Sequence, residues 1–214
     1  MKLSMMVLFA FIISLTEAQN QTNGSKPNCF ALDSTNVCGQ AYVGLPVLLP
    51  AYTSVADFNE KLARAFLNED SIATEFETFF GCSKNNLAPL LSSIRFRLSF
   101  WCSREVSEAV KYGCSASGAP FRLCPDECNS SVKTTQAILN NQAVCKGNAT
   151  QVQNTKGLIN VMTAVCSLTT ATQCSHGADL EKKYCGWANV QAAKTECAKP
   201  SSAGIDCCAQ FKSA

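Results

Sequence analysis

The chain has 214 residues, of which 47% are hydrophobic and 16% charged, with fourteen cysteines and a formal net charge of +2. A charge this small excludes capture of a polyanion such as nucleic acid by bulk electrostatics. The length suits one domain or a domain with an extension.

Met1-Lys2-Leu3-Ser4 is a short basic start, and Met5 to Leu15 is an apolar run broken only by Ser14. Thr16-Glu17-Ala18 then offers small residues at the two positions a signal peptidase reads. Residues 1–18 are therefore expected to be a cleaved secretory signal peptide. The run is too short for a bilayer, which needs about 20 apolar residues. No later stretch is apolar enough to span a membrane, and the polar tail from Asp206 to Ala214 does not suit a glycolipid anchor. The product is expected to be secreted, extracellular or cell-wall associated.

Residues 19–28 are polar and read as a flexible N-terminal segment. Gly44 to Pro50 carries Pro46 and Pro50, so it is expected to be extended. Thr53 is a candidate N-cap for a helix whose Phe58, Leu62, Ala65 and Phe66 share one face. Asn68-Glu69-Asp70 closes that segment, and Phe76, Phe79 and Phe80 form a short apolar face before Cys82. Leu87, Leu90, Leu91, Ile94, Leu98 and Trp101 recur at the helical period, with Pro89 tolerable at the first turn. Ser93, Arg97 and Arg104 fall on the opposite, solvent side of that helix. Phe96 and Phe100, one turn apart, make a second apolar face suited to a ligand groove or a partner helix.

Gly113 to Pro120 is a predicted loop. Asp126 is a candidate cap for a helix bearing Cys128, Val132 and Leu139, which Gly147-Asn148 breaks. Val152, Ile159, Met162 and Cys166 predict the next helical face, weakened by Gly157. Asp179 is a candidate cap for a short helix to Tyr184, and Trp187, Val190 and Cys197 suggest a last one. Strand signals are sparse, so the fold class is mostly α.

All fourteen cysteines follow the expected cleavage site. Their even number and an oxidising export route imply a disulfide framework, with no free thiol if every one is paired. Zinc at Cys124-x3-Cys128 is the rival, and the compartment argues against it. Asn20, Asn23, Asn129 and Asn148 each begin an N-glycosylation sequon.

Catalytic chemistry is sparse. His176 is the sole histidine, and no nucleophile motif accompanies it, so it reads as a surface-loop residue. Glu69-Asp70 and Asp126-Glu127 are chain neighbours, which seldom face one site. The interleaved Arg95 to Trp101 stretch reads as an amphipathic core helix rather than a nucleic-acid surface. The expectation is no enzyme, no cofactor and no metal.

The cysteines 29, 38, 82, 102, 114, 124, 128, 145, 166 and 174, taken in order, resemble those of the Frizzled-like cysteine-rich domain (FZ domain), a mostly helical extracellular module with ten cysteines. Cys82-Ser83 followed by Leu87, and Phe100-Trp101-Cys102, look like that family's segment leading to an aromatic-rich cysteine. Pro120-Phe121-Arg122-Leu123-Cys124-Pro125-Asp126-Glu127-Cys128 is similar to its Pro-Cys-Arg-x-x-Cys signature. Divergent, fungal-type secreted proteins with such domains look closest.

The resemblance implies a domain over 29–174 and a small helical, cysteine-containing C-terminal extension over 175–214. It implies the pairs Cys29–Cys114, Cys38–Cys102, Cys82–Cys145, Cys124–Cys174 and Cys128–Cys166. Cys185, Cys197, Cys207 and Cys208 then form two further bridges, with adjacent Cys207 and Cys208 expected to take different partners because a vicinal ring is strained. Related domains bind acyl chains or small hydrophobic ligands between helices. The implied function is a secreted binding module for a lipid, a lipidated ligand or an extracellular protein. The alternatives are a structural or interaction protein of the cell surface or wall, or a small secreted effector, and, further behind, a secreted hydrolase.

Overall fold

The computed structural model describes residues 28–49, 51–114, 123–167, 174 and 176–211. The expected signal peptide, the flexible segment up to residue 27, Asn20, Asn23 and most of the Gly113–Pro120 loop lie outside these residues, as do Pro120, Phe121 and Arg122 of the signature stretch.

A two-stranded antiparallel ribbon opens the described chain. Cys29–Ala31 (β1) pairs with Pro46–Leu48 (β2), with Phe30 opposite Val47. Strand β2 occupies the expected extended stretch, and its Val47 is fully buried. Between the strands a 3-10 turn, Gln40–Tyr42, turns Tyr42 inward.

Helix α1, Val55–Phe66, buries the predicted stripe of Phe58, Leu62, Ala65 and Phe66. Its cap is Ser54, which accepts from the Asp57 amide at 3.1 Å, while the amide of Thr53 donates to the Asp57 carboxylate at 2.8 Å. Asn68 both ends this segment and caps the next helix, Glu69–Phe80 (α2), by accepting from the Ser71 amide. Helix α2 stops at Gly81, whose φ of 68° is left-handed and whose missing Cβ leaves room for the Gly147 backbone.

The long period from Leu87 to Trp101 resolves into two helices, not one. Lys84–Leu91 (α3) starts at Ser83, so Pro89 lies inside it rather than at its first turn. Ser92–Phe96 breaks the run, and Arg97–Lys111 (α4) begins after Phe96, which sits at φ 50°. A left-handed phenylalanine cannot continue a helix and holds no side-chain acceptor for its first turn.

Pro125–Leu139 (α5) starts two residues after Leu123, with Pro125 at the position where a missing amide costs nothing and with Asp126 and Glu127 in the first turn. Ala149–Ser167 (α6) begins with a reciprocal cap: Asn148 accepts from the Gln151 amide at 3.0 Å, and the Gln151 side chain accepts from the Asn148 amide at 2.9 Å. Gln151 and Asn154 also donate to the Thr78 and Phe79 carbonyls, tying α6 to the end of α2. Met162 and Cys166 lie on the buried face of α6, whereas Val152 is exposed.

Asp179–Lys183 (α7) and Val190–Cys197 (α8) follow, with 3-10 turns at Pro200–Ser202 and Asp206–Phe211. Asn189 caps α8. Asp179 stands in the first turn of α7, where it accepts from the Gln40 amide at 2.8 Å.

The seven disulfides hold these pieces together. Five join Cys29–Cys114, Cys38–Cys102, Cys82–Cys145, Cys124–Cys174 and Cys128–Cys166. The other two are Cys185–Cys207 and Cys197–Cys208, so the adjacent cysteines bond different partners. The last two bridges enclose a small core of Trp187, Ala192 and Ala193, with Tyr184, Ile205 and Phe211 packed against it.

That small core is fastened to α4 by polar contacts. The Phe96 amide donates to the Gly186 carbonyl at 2.5 Å, and Arg95 donates twice to the Cys185 carbonyl. The Glu181 carboxylate, 1% exposed, accepts from the Leu98 amide (2.9 Å), the Ser99 amide (2.8 Å) and the Ser99 hydroxyl (2.5 Å). It thus caps a helix whose own N-cap residue is a phenylalanine.

Among the described residues, no helix is long and apolar enough to cross a membrane.

Candidate hydrophobic-ligand site

The cleft most suited to a ligand lies where α1, α2, α4, α5 and α6 converge. Helix periodicity sets its walls. On α2, Ile72, Phe76 and Phe80 fall on one face. Trp101 comes from α4, Phe66 from the end of α1, and Leu158 with Met162 from α6. The Phe66 and Trp101 rings stack at 4.9 Å with planes 21° apart, and Phe76 meets Phe80 edge-on at 5.1 Å. These ring geometries favour aromatic contact and stiffen the walls.

The interior cavity has a volume of about 40 Å³. Phe66, Ile72, Phe80 and Met162 are buried around it, while Phe76, Trp101 and Leu158 are half-buried and form its rim.

Two charged side chains interrupt the apolar lining. Arg97, 6% exposed, donates from Nη1 to the Leu91 carbonyl at 3.1 Å. Burial lowers its pKa, and the charges of Glu181 and Glu69 act in the other direction. Glu75 stands half-buried between this cavity and an open polar cleft of about 350 Å³ that also contacts Arg64, Asn68, Asp70 and Thr74. Burial alone pushes the Glu75 carboxyl up to about 7.

That shift has a testable sign. In the folded chain Glu75 holds its proton up to a pH near 7, whereas the unfolded value is 4.5, so the folded state binds more protons across that window. Stability from this group is therefore expected to fall as pH rises from 4.5 towards 7 and to level off above. Glu75→Gln should remove the fall. At a pH of about 8 it should make the protein more stable by about 1 kcal/mol, a figure reduced for solvent at the exposed side of the carboxyl. Urea unfolding across pH checks this; a variant less stable than the parent at high pH contradicts it.

The sequence-predicted candidates are distributed elsewhere. Phe96 and Phe100 do not form an open groove: both are buried with Leu123, Val132 and Met162, because the break before α4 turns that face inward. Arg97 and Arg104 are not on a solvent face, since both are buried. Arg104 pairs with Glu105 at 2.8 Å and lies over the Trp101 ring at 5.4 Å. Burial raises the Glu105 carboxyl, while Arg104 and the Tyr52 hydroxyl favour its charged form.

His176 is exposed, 3.2 Å from Glu127, whose other oxygen accepts from the Gly177 amide at 2.9 Å. This makes Glu127 a brace between α5 and the segment before α7. The Cys124 sulfur, a Glu127 oxygen and a His176 nitrogen lie within 4.8 Å of one another, as do the sulfurs of Cys185, Cys197 and Cys208. Each of these sulfurs is in a disulfide, not a thiolate, so it is not the donor a zinc ion takes. Asn129 and Asn148 are both exposed.

Glu75 is not singled out by the sequence, and the helical period puts Arg97 on the solvent side instead of in the cleft. The signal was their spacing: Glu75 sits three residues after Ile72 and one before Phe76, and Arg97 sits three after Ile94 and four before Trp101. Charges at the edge of an apolar stripe mark positions where the stripe meets something polar.

No family model, curated protein or solved structure matches the chain.

Proposed function

We propose that this chain is a secreted binding module of the Frizzled-like cysteine-rich type that recognises a hydrophobic ligand in the cleft between α2, α4 and α6. The observation that carries the reading is the partly buried rim of Phe76, Trp101 and Leu158 over a cavity walled by buried apolar side chains. Apolar surface held open to water at a concave site is stabilised when a ligand covers it. The ten-cysteine bridge pattern supports the same reading: its five pairs are those that the family resemblance implies. Seven disulfides are compatible with an extracellular setting. In this reading the chain acts by binding and not by catalysis, and its ligand is a lipid, a lipidated molecule or an apolar group of an extracellular partner.

The test is native mass spectrometry of protein secreted from a eukaryotic host, followed by titration with a neutral long-chain alcohol. A retained hydrophobic species, or saturable binding of the alcohol, is the expected result. Leu158→Asp should weaken binding by about tenfold or more, because it places a charge where a chain would lie. No retained species and no binding of any chain would replace this reading with a structural or interaction role at the cell surface.

A further inference from the structure

We propose that Cys185, Cys197, Cys207 and Cys208 of the C-terminal extension form a redox-gated zinc site: bridged, they hold no metal, and once reduced they bind one zinc ion as a tetrathiolate. The site lies apart from the hydrophobic cleft and does not depend on that reading.

The two bridges of the extension lie side by side. The sulfurs of Cys185, Cys197 and Cys208 are all within 4.8 Å of one another, and the Cys207 sulfur is bonded to that of Cys185. Thiolates on a tetrahedral zinc, with a Zn–S distance of about 2.3 Å, stand about 3.8 Å apart. A short inward movement brings sulfurs already gathered this closely to that spacing. Cys185, Cys197 and Cys208 are buried, so the ion would sit within the small core that contains Trp187.

Two N–H donors accompany the sulfurs. Gln210 Nε2 donates to Cys185 Sγ at 3.6 Å. Trp187, 2% exposed and packed in the same core, has an Nε1 with no acceptor among the described residues. A disulfide sulfur is a weak acceptor and an enclosed donor without a partner is costly. A metal-bound thiolate carries the charge that such donors stabilise.

The surrounding charge is of the right sign. Four thiolates on one zinc ion are negative in net, and the Arg95 guanidinium, which donates twice to the Cys185 carbonyl, lies over the Trp187 ring at 5.0 Å. Lys194 and Lys199 share with Cys197 an open cleft of about 440 Å³. Cations beside a cysteine favour its thiolate.

Cys207 is exposed, which gives an outside thiol access to the first bridge. A dithiol, small or carried by a protein, attacks Cys207 Sγ and breaks its bond to Cys185. The second thiol of the reagent then closes its own disulfide and frees Cys207. A second dithiol does the same to Cys197–Cys208. Each bridge takes up two electrons and two protons, and each of the four thiols releases its proton as its sulfur binds zinc.

The experiment treats the full secreted protein with dithiothreitol, desalts it under argon, adds Co²⁺ as a spectroscopic stand-in and then displaces it with Zn²⁺. Alkylation by iodoacetamide, mapped by peptide mass, follows each cysteine with and without metal. The expected result is one metal per chain, sulfur-to-cobalt charge-transfer bands with the d–d bands of a tetrahedral site, and zinc-dependent protection of Cys185, Cys197, Cys207 and Cys208. Gln210→Leu alters an exposed side chain, so it should leave thermal unfolding of the bridged chain unchanged while weakening zinc binding by about tenfold. The measurement on the unaltered chain stands even if the variant fails to fold. No metal uptake by the reduced chain, or protection of Cys124 in place of these four, overturns the site. Uptake by the bridged chain without dithiothreitol overturns the gating.

Discussion

Replacing Cys124 or Cys128 with Ser is expected to abolish secretion of folded protein. The two cysteines stand one helical turn apart at the start of α5, and their bridges run to Cys166 in the last turn of α6 and to Cys174 beyond the end of that helix. They close the α5–α6 hairpin at one end, while Cys82–Cys145 ties its connecting loop to the chain after α2. The bridged pairs are 50 and 38 residues apart. Loops of that size correspond to about 4 kcal/mol of unfolded-state restriction each. A domain of this kind has about 5–15 kcal/mol in all, so one bridge is a large share of it. The substitution also leaves a free thiol on the partner, and Cys166 is a buried position that a wrong bridge would pull apart. Secreted yield, thiol count and thermal unfolding of each variant check the prediction. Normal secretion with an unchanged melting temperature in both would defeat it.

Glu181→Ala is expected to destabilise the chain by about 3–5 kcal/mol, as much as the loss of a bridge. The side chain is fully enclosed and is the acceptor for the first turn of α4. Removing it orphans the Leu98 and Ser99 amides and strips Arg97 of a compensating charge. Burial raises the Glu181 carboxyl above its ordinary range, and the Ser99 hydroxyl and the two amides pull the other way. The charge is thus expensive to hold, yet more expensive to remove alone, because its partners stay buried. Glu181→Gln should fall between parent and Ala, since an amide oxygen still accepts but the nitrogen cannot. Urea unfolding gives the stability change, and hydrogen exchange should show the early amides of α4 losing protection first. A Glu181→Ala loss below about 1 kcal/mol would remove the cap from its assigned role.

Both predictions concern how distant pieces meet, which is where reading the sequence stopped. The amino-acid order by itself determined the helical class, the extended proline-bounded stretch that holds β2 and the buried stripe of α1. Each is a local matter: proline removes a donor, and residues at 58, 62, 65 and 66 share a helix face whatever surrounds them. Periodicity names which side chains share a face but not what that face meets. Hence Arg97 and Arg104, assigned to solvent, are buried, and Phe96 and Phe100, assigned to a second surface, lie in the core.

The break at Ser92–Phe96 has the same origin. Helical spacing runs through it without interruption, but the Phe96 amide is drawn to the Gly186 carbonyl, and α4 begins only because Glu181 arrives to cap it. The cleft is likewise a product of assembly, since Glu75, Arg97 and Leu158 come from three different helices, and Leu158 joins the first two only from the far side of α5 in the chain. Only tertiary structure decides such meetings, because a cap or a wall supplied from more than sixty residues away leaves no periodic trace at either end.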